Sequence, residues 1–109
     1  MTNHKIEKSS GSVFADLELA EVQELETKAQ LAHRIGEIIH GRHLTQTEAA
    51  EVLGATQPIV SKLMSGQLSG FSLERLVRFL NALDRDVEIV VRRRPRTRDH
   101  GRTSVKVAG

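Results

Sequence analysis

The sequence has no cysteine, no tryptophan and no tyrosine, and its only aromatic residues are three phenylalanines. The absence of cysteine excludes disulfides and thiolate metal sites and favours a reducing, cytoplasmic environment. With so few aromatic side chains, the core has to be built from Leu, Ile, Val and Ala. A chain of 109 residues supplies one modest core of this kind, whose stability is marginal unless something is added to it.

Features typical of membrane proteins and of enzymes are also missing. No stretch approaches the roughly 18 consecutive apolar residues of a membrane-spanning helix, and the N-terminal sequence MTNHKIEKSSGSVF lacks the apolar block of a signal peptide. The chain contains no Gly-rich phosphate loop, no cysteine nucleophile and no Ser-His-Asp arrangement in a recognisable context. We therefore expect a cytoplasmic protein that contacts no membrane, catalyses no reaction and needs no cofactor.

Charge is distributed unevenly along the chain. Residues 1–84 contain 8 basic and 11 acidic residues, whereas residues 85–109 contain 8 basic and 3 acidic residues. Residues 95–109 are predicted to form a basic disordered tail, whose charges are either simply solvated or attract phosphate. Residues 1–16 are polar and include Ser-Ser-Gly-Ser, which predicts a flexible N-terminal arm.

Between these two ends, residues 17–84 are predicted to form a helical domain. A first helix is expected from Leu17 to Ile39, because apolar residues recur there at helical spacing. The predicted apolar stripe consists of Leu25, Ala29, Ala32, Ile35 and Ile39. A last helix is expected from Ser72, as its N-cap, to about Leu83.

Two further short helices are predicted between residues 45 and 65. Thr45 and Glu48 have the spacing of a capping box, and Gly54 supplies the left-handed residue that ends the first of the two helices. Thr56 is expected to cap the second. Two short helices joined by such a turn form a helix-turn-helix, whose second helix enters the major groove of DNA. The exposed face of that helix carries the candidate base contacts, Gln57, Pro58, Ser61 and Lys62.

Residues 85–94 follow a different pattern. Val87, Ile89 and Val91 alternate with other residues and fall on one face of a predicted β-strand. The chain offers no second strand, and a lone strand leaves its backbone donors and acceptors unpaired. We therefore predict a homodimer in which this strand pairs with the same strand of a second copy, antiparallel across a two-fold axis. The alternative is that the segment extends the last helix or lies loose.

The segment LTQTEAAEVLGATQPIVSKLMSG, residues 44–66, resembles the Cro/repressor (XRE) helix-turn-helix family. The matching residues, in register and without a gap, are Leu44, Gln46, Ala50, Leu53, Gly54, Gln57, Val60, Ser61 and Gly66. The resemblance covers about residues 32–83. It implies a mainly α, lambda-repressor-like domain that binds double-stranded DNA, and a dimer of it is expected to repress transcription at a palindromic operator.

This resemblance also implies roles for individual residues. Gln57 is expected to read adenine, with Gln46 supporting it. The resemblance further implies phosphate contacts from Gln46, Ser65 and Ser72, and base or backbone contacts from Pro58, Ser61 and Lys62. Many members of the family have a small polar residue where this chain has Pro58. Because proline offers no hydrogen bond, its role is either a thymine-methyl contact or helix initiation.

The wider chain is similar to the compact HigA-type antitoxins. The stretch GFSLERLVRFLNALDRDVEI, residues 70–89, carries this resemblance best. It implies repression of the protein's own operon and neutralisation of a small RelE/HigB-like ribonuclease toxin. Val13, Phe14 and Leu17 of the N-terminal arm are the candidate toxin contact, since apolar residues in a loose segment often meet a partner. Packing of the same residues against the first helix is the alternative.

Three other interpretations remain open at this point. A stand-alone XRE-family repressor without a toxin partner has the same DNA-binding residues, and a helix-turn-helix that has lost DNA binding can serve as a protein-interaction adaptor. His33, Glu37 and His40 lie on one helix face, with His43 close behind, which is a possible divalent-metal site. Because the spacing does not define a firm third ligand, we expect solvated histidines and no metal.

Overall fold

The computed structural model describes the backbone of residues 6–108 and the side chains of residues 17–108. This part of the chain contains four helices, α1 (Ile6–Gly41), α2 (Gln46–Leu53), α3 (Gln57–Met64) and α4 (Leu73–Ala82), and no strand. Helix α2 packs against α3, and α1 packs against α4 and α3. The prediction of a mainly helical domain is confirmed. None of these helices has a stretch long and apolar enough to cross a membrane.

Helix α1 is longer than the sequence pattern indicated. It begins at Ile6 rather than at Leu17, so it includes residues 6–16, which were expected to form an arm. The side chains of Val13 and Phe14 lie outside those that the structure describes. Leu25 and Ala29, which belong to the predicted apolar stripe, are exposed, because the buried side of α1 begins only at Thr27. The periodicity identified an apolar face correctly, but the other helices cover only its C-terminal half.

The core lies where the C-terminal half of α1 meets the three shorter helices. Every helix contributes to it, and three residues outside the helices complete it, two between α3 and α4 and one directly after α4. The buried apolar residues are Leu31, Ala32, Ile35, Ile38, Ile39, Ala49, Ala50, Leu53, Val60, Leu63, Leu68, Phe71, Leu76, Phe79, Leu80 and Leu83. The core is thus almost entirely aliphatic, as the composition predicts. Its two aromatic rings, Phe71 and Phe79, meet edge to face with centroids 6.3 Å apart.

Local sequence signals set the ends of the short helices. The capping box of α2 is present, because the Glu48 N–H donates to Thr45 Oγ1 over 3.1 Å and the Thr45 N–H donates to Glu48 Oε1 over 2.8 Å. Gly54 ends α2 with a φ of 66°, a left-handed conformation that glycine adopts without strain. Thr56 occupies the N-cap of α3 but its side chain makes no capping hydrogen bond. One reason is that Pro58 removes an N–H that such a cap would use.

Two glycines of this domain are expected to respond oppositely to alanine. Gly36 lies inside α1, and a Cβ built there would meet Met64 Sδ at 3.6 Å, which is ordinary contact. We expect Gly36→Ala to raise the free energy of unfolding by about 0.5–1 kcal/mol, because alanine loses less backbone entropy in a helix. Gly54→Ala is the matched control and should lower it by about 1–2 kcal/mol, because the left-handed backbone opposes a Cβ. Urea denaturation followed by circular dichroism measures both, and a destabilised Gly36→Ala would contradict the packing around α1.

The segment after α4 contacts the domain at its two ends. Val87 packs partly against the core, whereas Ile89 is 82% and Val91 is 91% exposed. Near the C-terminus, the half-buried Val105 packs against the core, and its N–H donates to Gln30 Oε1 over 3.2 Å. A shallow open cavity of about 320 Å³ lies between one face of α1 and two C-terminal residues, Val105 and Val107. The sequence analysis did not anticipate this contact between the basic tail and α1.

Candidate nucleic-acid interface

The helix-turn-helix predicted between residues 45 and 65 is formed by α2, the turn at Gly54 and α3. Ala50 of α2 and Val60 of α3 are both buried, as expected for the small and β-branched residues at which the two helices approach each other. The Ala55 N–H donates to the Ala50 carbonyl over 2.9 Å and closes the turn. These contacts determine which side of α3 faces the core, and therefore which side remains available to DNA.

The two glutamines of the motif are joined directly. Gln57 Nε2 donates to Gln46 Oε1 over 2.6 Å, and this bond links the first residue of α3 to the first residue of α2. The bond uses one hydrogen of the Gln57 amide. The second hydrogen of the Gln57 amide and Gln57 Oε1 take no part in this bond, and a glutamine amide donor and acceptor of this kind can pair with adenine N7 and N6. Gln46 retains its own Nε2 donors, which suit a phosphate oxygen.

The remaining predicted contacts on α3 differ in exposure. Pro58 and Lys62 are exposed, whereas Ser61 is half-buried. Lys62 has no carboxylate within ion-pair distance among the described residues, so its charge is uncompensated there. An uncompensated lysine beside a serine hydroxyl and an amide is a suitable set of groups for phosphate and base edges.

The loop that follows α3 contains a residue that the sequence analysis missed. Ser65 Oγ donates to the Lys62 carbonyl over 3.1 Å and accepts from Gln67 Nε2 over 3.2 Å. The hydroxyl hydrogen of Ser65, which was predicted to contact phosphate, is therefore engaged within the loop. Gln67 keeps one amide hydrogen and is exposed, so it offers a free donor at this place. Nothing in a single sequence distinguishes Gln67 from any other polar loop residue.

A second missed residue lies at the start of α4. Ser72 Oγ accepts the N–H of Arg75 over 3.1 Å, which confirms Ser72 as the N-cap. The guanidinium of Arg75 lies over the rings of Phe71 and Phe79, with its carbon 5.3 and 5.4 Å from the two centroids. Stacking of this kind orients the guanidinium and places a cation near Ser72. The sequence carries only part of this signal, because Phe79 lies four residues after Arg75 on α4, whereas Phe71 precedes the helix and its ring reaches Arg75 through packing.

The histidines suggested as metal ligands are exposed on or just after α1. His33 Nε2 is 3.6 Å from Glu37 Oε2, and both side chains are exposed. In the part of the chain that the structure describes, no three His, Asp or Glu side chains converge on a common point.

Comparisons with known proteins agree with this geometry. A family model described as a helix-turn-helix domain matches residues 13–92. A protein of Mycobacterium tuberculosis (strain ATCC 25618 / H37Rv) named "Putative antitoxin HigA3" is 40% identical over 77 residues, which are 69% of this chain and 71% of that protein. A solved structure named "Putative XRE Family Transcriptional Regulator" is 48% identical and has a TM-score of 0.77. The similarity covers 81% of this chain and 99% of that one.

Proposed function

Because this chain belongs to the helix-turn-helix family, as an XRE-type and HigA-like member, we propose that it is an autoregulatory antitoxin. Its family and fold are those of a DNA-binding transcriptional regulator and not of an enzyme class. In the proposed function, a homodimer represses its own operon at a palindromic operator and also neutralises a small RelE/HigB-like ribonuclease toxin. The observation that carries the DNA-binding half is the hydrogen bond between Gln57 and Gln46 on the exposed side of the motif.

In the proposed complex, the two recognition helices of a dimer enter successive major grooves, about 34 Å apart. Gln57 pairs with adenine, while Ser61 and Lys62 contact neighbouring bases or phosphates. Gln46, Gln67 and the start of α4 hold the phosphate backbone and set the register of the protein on the duplex. Occupation of the operator then blocks transcription by steric exclusion.

The proposed dimer rests on the segment of residues 85–94. Between Asp86 and Arg94, no backbone N–H or C=O forms a hydrogen bond within the described part of the chain. Ile89 and Val91 are also almost fully exposed in the single chain. Antiparallel pairing with a second copy gives these backbone groups partners and covers the apolar side chains. It also adds apolar contacts to a small aliphatic core.

The proposed toxin contact rests on the relative named an antitoxin and on the free part of α1. Leu17, predicted as a toxin contact, is 53% exposed, and Val22 and Leu25 continue an uncovered apolar surface along the helix. Exposed carboxylates lie among and beside these apolar residues, at Glu18, Glu21, Glu24 and Glu26. A helix surface that carries both apolar and acidic side chains suits the surface of a basic protein, such as one that binds RNA.

The experiment that tests the proposal is co-expression with the small reading frame beside this gene. We expect the neighbour to arrest growth when expressed alone, and to be harmless and to copurify when expressed with this chain. The Gln57→Ala chain serves as the control, since it should still neutralise the neighbour although it no longer represses the operon. If the neighbour neither arrests growth nor copurifies, the antitoxin proposal fails. The second candidate function, that of a stand-alone XRE-type repressor, then replaces it. This candidate is favoured by the name of the solved relative, which describes a transcriptional regulator.

A further inference from the structure

The segment of residues 86–94 has a charge pattern that is complementary to itself. Asp86 and Glu88 precede the apolar sequence Ile89-Val90-Val91, and Arg92, Arg93 and Arg94 follow it. When such a strand pairs antiparallel with a second copy, the acidic half of each strand lies opposite the basic half of the other. Given the homodimer proposed above, this pattern bears on the register of the two strands and on the selectivity of their pairing.

Symmetry leaves few registers for this pairing. Directly opposite residues point to the same face of a sheet, and side chains alternate between faces along each strand. One residue of the strand therefore faces its own copy across the two-fold axis, and the axis is said here to pass through that residue. An axis through Ile89 places Asp86 opposite Arg92, but it also places Arg85 opposite Arg93, which is a pair of like charges. An axis through Val91 places Glu88 opposite Arg94, but it also places two apolar side chains, Ile89 and Val90, opposite arginines.

An axis through Val90 gives the best match of charges. Glu88 then lies opposite Arg92 twice in the dimer, Asp86 lies opposite Arg94 twice, and Ile89 lies opposite Val91. Val87 lies opposite Arg93, so one apolar side chain of each strand faces an arginine, but no like charges face each other. Opposite charges in directly facing positions stabilise antiparallel strands, whereas like charges destabilise them. Glu88 and Arg92 are both exposed, and within the described residues neither has an ion-pair partner that would have to be given up.

We propose that Val90 lies on the dimer axis and that Glu88 of each copy pairs with Arg92 of the other, so that the strand selects a second copy of this chain. The alternation of side chains along the strand places Val87, Ile89, Val91 and Arg93 on one face. Val87 already packs against the helical core, so that face is directed toward the helices. Glu88, Val90 and Arg92 form the outer face, where the charged pairs meet at the edge of solvent.

Charge-reversal variants test this register. Glu88→Arg places two pairs of like charges in the homodimer, and so does Arg92→Glu, so we expect each to weaken dimerisation on the order of tenfold. The double variant Glu88→Arg/Arg92→Glu should recover the native affinity. A mixture of the two single variants should form the heterodimer in preference to either homodimer, because all four charged pairs then have opposite signs. Native mass spectrometry of differently tagged chains measures this distribution without DNA.

Controls keep the outcomes distinct. Asp99→Arg and Arg102→Glu make the same changes in charge beyond the strand, at exposed positions, and should leave dimerisation unchanged. Circular dichroism verifies that each variant keeps its helices. If the single reversals dimerise as well as the native chain, the register through Val90 is wrong although the dimer stands. If the native chain itself is monomeric at micromolar concentration, the proposed homodimer fails, and the register fails with it.

Discussion

Replacing Gln57 by alanine is expected to lower affinity for the operator by about 5- to 150-fold, the equivalent of about 1–3 kcal/mol for one bidentate base contact. Affinity for a scrambled duplex should change little, since it depends mainly on phosphate contacts. The physical reason is the geometry at the start of α3, where Gln46 holds one amide hydrogen of Gln57 and leaves the donor and acceptor for adenine. Fluorescence anisotropy on both duplexes at one salt concentration measures the difference.

Gln46→Ala is the matched control for that experiment. It removes the hydrogen bond that supports Gln57 and the proposed phosphate contact of Gln46, while leaving in place the amide proposed to read adenine. We therefore expect weaker binding to both duplexes and a smaller loss of discrimination than with Gln57→Ala. An equal loss on operator and scrambled DNA for Gln57→Ala would show that this residue does not read a base.

Replacing Ile89 by proline is expected to convert the protein to a monomer and to reduce operator affinity on the order of a hundredfold. Proline removes a backbone N–H and fixes φ, so it interrupts the backbone pairing of two strands. The substitution also removes an apolar side chain that is 82% exposed in the single chain and that we expect the second copy to cover. The loss of affinity follows because two linked half-site contacts reinforce each other and a monomer makes only one.

Light scattering and operator binding are measured on the same preparations of Ile89→Pro. Because Ile89 lies outside the helical core, the variant should keep its helices. At protein concentrations low enough for the native chain to be monomeric, the midpoints of thermal unfolding of the two proteins should agree within a few degrees. Arg102→Pro places the same residue at an exposed position beyond the strand and should remain dimeric. A dimeric Ile89→Pro would mean that another surface joins the two copies, and the exposed half of α1 would become the first to examine.

Structural features that depend on residues close together in the sequence were predictable in detail. The capping box of Thr45 and Glu48 and the left-handed Gly54 occur where the sequence places them, because each depends on residues within one turn. The hydrogen bond between Gln46 and Gln57 joins residues on two helices. It was expected from the family resemblance and not from spacing. The roles of these residues on DNA stay predictions.

Other features depended on contacts between distant residues and were not predictable. Leu25 and Ala29 belong to an apolar stripe, yet they are exposed because no other helix reaches that part of α1. The hydrogen bond from the Val105 N–H to Gln30 Oε1 joins residues far apart in the chain, and no local sequence pattern predicts that the two residues meet. Gln67 became a candidate for phosphate binding only when its contact with Ser65 was seen.

The order of residues along this chain specifies the short helices, the capping box of α2 and the amide, hydroxyl and ammonium groups on the outer face of α3, because these follow from interactions over three to four residues. Packing specifies the rest. It selects which half of α1 is covered, brings Gln46 to Gln57 and stacks Arg75 on two phenylalanines. The reason is that burial depends on which surfaces meet in three dimensions, and a periodic pattern identifies an apolar face without identifying what will cover it.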